Sequence, residues 1–365
     1  MAALPETMCA VLLKGHGGYE QLEYRDDVPV PRPEAGEVLV RVGAAGVNNT
    51  DINTRAGWYS KDVTEGTTAE GAKGGYSDAD AGDTSWAGAA FSFPRIQGAD
   101  VCGRIVAVGD GVDTGRIGER VLIEPCLREP AGWQPYRAWY FGSECDGGFA
   151  QYAKAPGVHA YRIESGLSDA ELASFPCSYS TAENMLTRTG LEAGETVLVT
   201  GASGGVGSAA VQLAKRRGAR VVAVASPAKA KEVMALGADE TVPRDADLIA
   251  QLGRDAVQVV VDLVAGPRWP QLLEILDRGG RYAVAGAIAG PIVEMDVRTL
   301  YLKDLKLFGC TVLEGEVFGN LVGYIERGEI RPVVARTYPL REIAAAQQEF
   351  LGKRFTGKLV LLPPD

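Results

Sequence analysis

Histidine is almost missing from this sequence: only His16 and His159 occur in 365 residues. That shortage argues against histidine-rich metal centres and against histidine acid–base chemistry together. Cysteine pairs are also missing. Cys9, Cys102, Cys126, Cys145, Cys177 and Cys310 are scattered, and no two form a C-x-x-C pair. A disulfide framework is not expected in a chain this long. Positive charge is in deficit, with 37 Lys and Arg against 47 Asp and Glu, a formal charge of −10. Without a basic block, nucleic acid and anionic membranes are excluded as expected partners. No run of about 18 apolar residues occurs. Met1 to Met8 shows neither the basic nor the apolar region of a secretory leader. The expectation is a soluble, cytoplasmic protein. What remains is ordinary globular composition, 46% apolar and 23% charged, which excludes a disordered or fibrous chain. The length predicts about two domains, with a core that needs no metal or disulfide staples.

Two textures divide the chain. Up to about residue 160 it is β-rich, with Val38–Val42, Arg104–Val108 and Arg120–Ile123 as strands punctuated by Gly and Pro. This predicts a barrel-like β domain. Residues 60–92 interrupt it with Gly, Ala, Ser, Thr and Asp and few aliphatics. Such a segment is expected to be a mobile surface insertion, or a lid or oligomer arm near the site. Trp86, Phe91 and Phe93 at its far end favour docking. From about Glu195 strands and helices alternate. Strands are expected at 196–200, 220–225, 257–263 and 282–285, and helices at 206–217, 227–236 and 269–276, the last closed by Gly279-Gly280. Buried parallel strands alternating with helices indicate an α/β class, a doubly wound sheet. After Gly309 the elements are short and mixed, ending in Lys358-Leu359-Val360-Leu361-Leu362. This tail is expected to return to the first domain.

The strongest motif is Gly201-Ala202-Ser203-Gly204-Gly205-Val206-Gly207, between an apolar strand and a helix start. Gly201 permits the turn, Gly204 lets a pyrophosphate approach backbone, and Gly207 lets the helix pack close. The free N–H groups of the helix start then face the anion. An NAD site wants an acid after the second strand. That strand runs instead into Ser226-Pro227-Ala228-Lys229, with Arg244 past the third. Ser226, Lys229 and Arg244 suit a 2′-phosphate, so NADP(H) is the expected cofactor.

Pro33 to Val40 reads PEAGEVLV, and Gly46 to Tyr59 carries GVNNTD, then Arg55 and GWY. Gly98 to Gly109, Cys177 to Thr181, the phosphate loop and Thr356-Gly357-Lys358 follow in order. Through these motifs the sequence resembles the medium-chain dehydrogenase/reductase superfamily, nearest its zinc-free quinone oxidoreductases. The resemblance covers the chain except 60–92. It implies a GroES-like substrate domain over 1–160, joined again by 312–365, and a Rossmann domain over 161–311. It also implies a homodimer paired through the strand near Lys306 to Thr311. Where a zinc alcohol dehydrogenase of this superfamily has ligands, this chain has Asn48, Ala99-Asp100 and Cys177. One thiol and one carboxylate fall short of three ligands, so no metal is expected.

Without a Lewis acid, conjugate reduction is easier than reduction of a simple ketone, because charge spreads onto an enolate oxygen that one or two donors can polarise. Tyr59 is the first candidate donor and Asn48 the second, although either is equally a packing aromatic or a turn residue. Asp51 is expected to orient the loop beside the substrate, with Trp58 and Trp86 as an apolar wall. The resemblance places Thr181, Gly286, Phe308 and Cys310 around the nicotinamide, and assigns Lys358 to the cofactor site. The expected function is NADPH-dependent hydride transfer to a quinone or enone. A degenerate zinc-type alcohol dehydrogenase and a non-catalytic NADPH-binding protein are the alternatives.

Overall fold

The computed structural model describes residues 4–77, 79–80 and 82–365. Six strands, β1 (Thr196–Val199), β2 (Arg220–Ala225), β3 (Glu240–Pro243), β4 (Val257–Asp262), β5 (Leu276–Val284) and β6 (Lys306–Gly309), form one sheet. Its order is β3-β2-β1-β4-β5-β6, and every neighbouring pair is parallel. Val, Leu and Ala fill β1, β2 and β4, buried on both faces as a parallel sheet requires. The strand order reverses between β1 and β4, and open α/β sheets bind ligands at that crevice.

Three expectations change. The short helix Leu248–Leu252 was not expected, and β3 was foreseen only as a third strand before Arg244, without a range. β3 has only four residues and ends in a proline, so it carries little periodic signal. The helix from Trp269 stops at Glu274, and β5 starts at Leu276. Gly279-Gly280 does not close a helix. Register jumps from Val257↔Leu276 to Val259↔Arg281, and the extra residues bulge around them. The segment from Pro227 opens as a 3₁₀ turn to Lys229 and becomes α-helix only over Ala230–Ala235.

The other domain is a β-barrel-like sheet. Strand Glu37–Val47 lies at its centre, buried along almost its whole length. It pairs antiparallel with Asp100–Val108, Tyr152–Pro156 and the late strand Lys358–Leu362. Val334–Pro339 adds beyond that late strand. Strand Ala160–Arg162 still belongs to this sheet, so the first crossing lies slightly past residue 160. Helix Val317–Glu326 packs on helix Pro176–Thr189 and joins the core of the parallel-sheet domain. The return to the barrel therefore falls past 326 rather than at 312.

Segment 60–92 carries a helix, Ala69–Gly74, capped by the Thr68 hydroxyl accepting from Gly71 N at 2.9 Å. Phe91 and Phe93 pack on His16, with ring centroids 6.0 and 4.8 Å away. Trp86 stacks on Tyr140 at 4.5 Å. Asp78 and Ala81 of this segment lie outside the described residues. Among the described residues no helix is long and apolar enough to cross a membrane.

Candidate active site

The phosphate loop has the expected geometry. Gly201 sits at φ 59°, a left-handed conformation that a β-carbon disfavours. A β-carbon at Gly207 would lie 2.2 Å from the Gly201 carbonyl oxygen, so only glycine lets the helix Gly205–Arg216 sit this close. At Gly204 a β-carbon would meet only Gly201 O at 3.4 Å, which leaves that side open to a ligand. No side chain caps this helix, and its first-turn N–H groups have no intrahelical acceptors. Ala202 is fully buried beneath the loop. Ser203 O accepts from Gly357 N at 3.0 Å, tying the late segment to the loop. Gly205 has a separate role: a β-carbon there would strike Ser178 Oγ at 2.6 Å and the Lys358 stem at 2.8 Å.

Beyond β2, Lys229 is turned toward the late segment. Its ammonium donates to the carbonyls of Lys353 (2.7 Å) and Phe355 (2.6 Å). Burial lowers its pKa; Glu232 partly offsets this, and the nearby Arg244 guanidinium lowers it further. Lys353, which the sequence did not single out, is close enough to feel Lys229 as a like charge. Ser226, Lys229, Arg244 and Lys353 thus gather at one end of β2. The remaining cofactor candidates line the carboxyl ends of the strands. Gly286 approaches Leu263, Cys310 N donates to Val284 O at 3.0 Å, and Phe308 lies in β6. Burial pushes the Cys310 thiol up to about 11, so it is inert as a nucleophile. Thr181 Oγ1 donates to Cys177 O at 2.7 Å.

A buried carboxylate fixes the floor of the crevice. Asp262 accepts from Thr200 Oγ1 (2.6 Å), Tyr282 Oη (2.6 Å) and the N–H groups of Val264 and Ala265. It locks the ends of β1, β4 and β5 together.

Lys358 makes contacts that the sequence did not show. Its side chain is almost wholly buried, its stem lies against Gly205 of the phosphate loop, and its ammonium donates to Asp100 Oδ2 (2.7 Å) and Asn48 Oδ1. Asn48 Nδ2 donates to Asp100 Oδ2 at 2.8 Å. Cys177 N donates to Asp100 Oδ1 at 2.5 Å. Asn48 therefore spends its oxygen and one hydrogen inside the protein, and serves as the N-cap of helix Asn49–Ala56. Asp51, expected beside the substrate, is buried and accepts from Asn48 N at 2.7 Å. Burial pushes its carboxyl up to about 7, although the Asn48 N–H and Lys358 pull it down and Asp100 pushes it up. The Cys177 thiol is held far above its ordinary range by burial and by Asp100.

The donors at these positions are already committed: Lys358 occupies the oxygen of Asn48 and bonds one oxygen of Asp100, and Ala99 offers no ligand. Among the described residues no group of three His, Cys, Asp or Glu could hold a metal ion.

Tyr59 donates from its hydroxyl to Thr50 Oγ1 at 3.1 Å. Burial pushes that phenol up to about 12, so it keeps its proton. Thr50 accepts this bond, and its own hydrogen is left to point elsewhere. Thr50 also lines a small cavity of about 10 Å³ with Trp86, Ala99 and Ser143. Sequence reasoning missed Thr50; only its place two residues after Asn48, on the helix start, could have drawn notice. Trp58, expected as an apolar wall, is anchored by Nε1 donating to Glu65 O at 2.9 Å.

A parallel sheet in 3-2-1-4-5-6 order, a glycine phosphate loop and a barrel facing its strand ends define a two-domain, nucleotide-binding oxidoreductase architecture. Comparison with known proteins narrows the class. Residues 34–165 match the alcohol dehydrogenase GroES-like domain, and residues 205–327 match the zinc-binding dehydrogenase family. Quinone oxidoreductase of Mus musculus is 30% identical over 99% of this chain and 100% of its own length. Acryloyl-coenzyme A reductase of Metallosphaera sedula is 30% identical over 97% of this chain and 99% of its own. A putative alcohol dehydrogenase from Sinorhizobium meliloti 1021 superposes with a TM-score of 0.87 at 46% identity, covering 100% of this chain and 99% of the other. The chain belongs to the medium-chain dehydrogenase/reductase superfamily, which includes a quinone oxidoreductase branch.

Proposed function

We propose that the protein is an NADPH-dependent oxidoreductase that reduces a quinone or another activated alkene or enone without a metal. The observation that carries this reading is Lys358, whose ammonium is fixed between Asn48 and Asp100 where a metal enzyme needs free donors. The names of the relatives, quinone oxidoreductase and acryloyl-coenzyme A reductase, support acceptors with conjugated double bonds.

The phosphate loop and the open side of Gly204 suit a pyrophosphate. Lys229, Arg244 and Lys353 favour the 2′-phosphate of NADPH over the free hydroxyl of NADH. When bound, the dinucleotide supplies hydride. This chain's own part is to polarise the acceptor. Thr50, its oxygen already bonded by Tyr59, presents its hydrogen to the substrate oxygen, and Tyr59 backs it with a held proton. That donor pair stabilises charge as it develops on an enolate oxygen. β6 is the exposed edge of its sheet, with Leu307, Tyr301 and Leu302 exposed beside it. An unpaired apolar edge of this kind suits pairing with a second copy, giving a homodimer.

The test is a panel of quinones, enones and simple aldehydes, run with NADPH and with NADH. Oxidation of NADPH by quinones or enones, unaffected by chelator, is the expected result. Activity on simple alcohols that chelation abolishes and zinc restores would establish a zinc dehydrogenase instead. Cofactor binding without turnover of any acceptor would leave a non-catalytic nucleotide-binding protein.

A further inference from the structure

The insertion crosses the opening between the two domains at residues 65–67. Its ties to the two sides are unequal. On the barrel side, Trp58 Nε1 donates to Glu65 O (2.9 Å) and Thr67 Oγ1 donates to Asn53 Oδ1 (3.2 Å), while Tyr76 Oη, within the insertion itself, donates to Gly66 O (3.1 Å). The helix that follows is held by the buried Arg55, whose guanidinium donates to Ala72 O at 2.6 Å. On the nucleotide-domain side, the hydrogen bond seen among the described residues is a backbone one, Thr67 N to Ile288 O at 3.0 Å. Ile288 lies just past β5, at the strand ends where Gly286 also stands.

Gly66 makes this bond possible. A β-carbon there would lie 2.6 Å from Ile288 O and 2.9 Å from the Ala289 carbonyl carbon. These are backbone atoms of the opposite domain. Gly66 itself does not adopt a left-handed φ, so a side chain would disturb the crossing and not the local turn. The helix that holds Asn53 also carries Thr50, which lines a cavity with room for about one water, and Trp86 of the same insertion forms part of its wall.

We infer that residues 65–67 are the latch of a cap that closes the substrate opening, and that latch opening sets which acceptors enter. The inference rests on the reading of this crevice as the substrate cleft. The cap belongs to the barrel, through several side-chain bonds, and parts from the nucleotide domain by losing one bond. As it stands, the cavity at Thr50 holds about one water, too little for a ring-sized acceptor. Bulky acceptors are therefore admitted in proportion to the open fraction. Losing one net hydrogen bond shifts an open-to-closed ratio by roughly two- to tenfold.

Gly66→Ala and Gly66→Val form a graded test, the smaller variant standing in if the larger does not fold. Two readouts are needed. The first is acrylamide quenching of bound NADPH, or of NADH if that binds better, which requires no turnover. The second is the ratio of kcat/KM for a fused-ring quinone to that for a one-carbon-branched enone. The inference expects both quenching and the bulky-to-small ratio to rise about two- to tenfold, alanine less than valine, with cofactor affinity unchanged. Turnover with neither readout altered would overturn the latch and leave the proposed function standing. Altered quenching in a protein that turns over no acceptor would uphold the cap over the cofactor and defeat the proposed function. Altered quenching with an unchanged substrate ratio would refute the claim that the latch selects acceptors.

Discussion

Lys358→Met removes a buried ammonium but keeps most of the stem that packs under Gly205. The parent ammonium bonds Asp100 and Asn48 with almost no solvent contact. Deleting one partner of a buried ion pair costs about 3–5 kcal/mol, because the other charge is left uncompensated. Asp100 would keep two donors, Asn48 Nδ2 and Cys177 N. That places the expected loss at the lower end, about 3 kcal/mol. At about 2–4 °C per kcal/mol for a unit of this size, melting should fall by roughly 6–12 °C. Asp100→Asn, made alone and with Lys358→Met, completes a double-mutant cycle. The pair should be less destabilised than the sum of the singles by at least about 2 kcal/mol. The assay is thermal melting of all four proteins at one pH and salt concentration. A Lys358→Met protein that melts with the parent, or a cycle that sums to zero, would refute the buried pair as described.

Three further outcomes are expected. The Asp51 carboxyl, raised by burial to about 7, binds its proton more tightly folded than unfolded. Its stabilising contribution is full below the unfolded value of about 4 and is lost as pH rises toward and through 7. Asp51→Asn should therefore gain about 2 kcal/mol on the parent between pH 5 and pH 8, read from denaturant melts; a constant difference would contradict this. Tyr59→Phe leaves Thr50 without its backing donor and should lower kcat about tenfold, with little change in cofactor affinity; a fully active variant would make the ring mere packing. NADPH should bind at least about tenfold more tightly than NADH, and Lys229→Glu should erase most of that margin by placing repulsive charge at the 2′-phosphate; equal affinities in the parent would refute the role of the cation cluster.

Much of the fold was readable because its signals are local. β2 and the strands at 120–123 and 358–362 fall where their apolar patterns put them. The phosphate loop declared itself through glycine spacing, and Gly201 and Gly207 occupy the positions their roles demand. β3 could be placed only as a strand before Arg244 because four residues offer no period, and the excursion at 277–280 was missed because a glycine pair reads equally as a helix end or a bulge. The site was less legible, since its contacts are non-local. Lys358 was named by its motif, but its partners Asp100 and Asn48 lie 258 and 310 residues away and left no trace in that motif. Lys353 and Thr50 carry no local signal at all. Their neighbours, Lys229 and Tyr59, were both named, but sequence order does not reveal which side chains meet.

The late strand Lys358–Leu362 has a consequence for how the molecule is made. In the barrel sheet it stands between Glu37–Val47 and Val334–Pro339. Until it arrives, the central strand lacks its neighbour on that side and Asp100 lacks its counter-ion. The parallel sheet, by contrast, is contiguous in the chain, and most of its pairings join nearby segments. At about 5–20 residues per second, the ribosome needs roughly 10–40 s to pass from the first domain crossing to this late strand. For that interval the nascent protein holds an unfinished barrel beside an assembling nucleotide domain. Of the two domains, the one begun earlier is completed later.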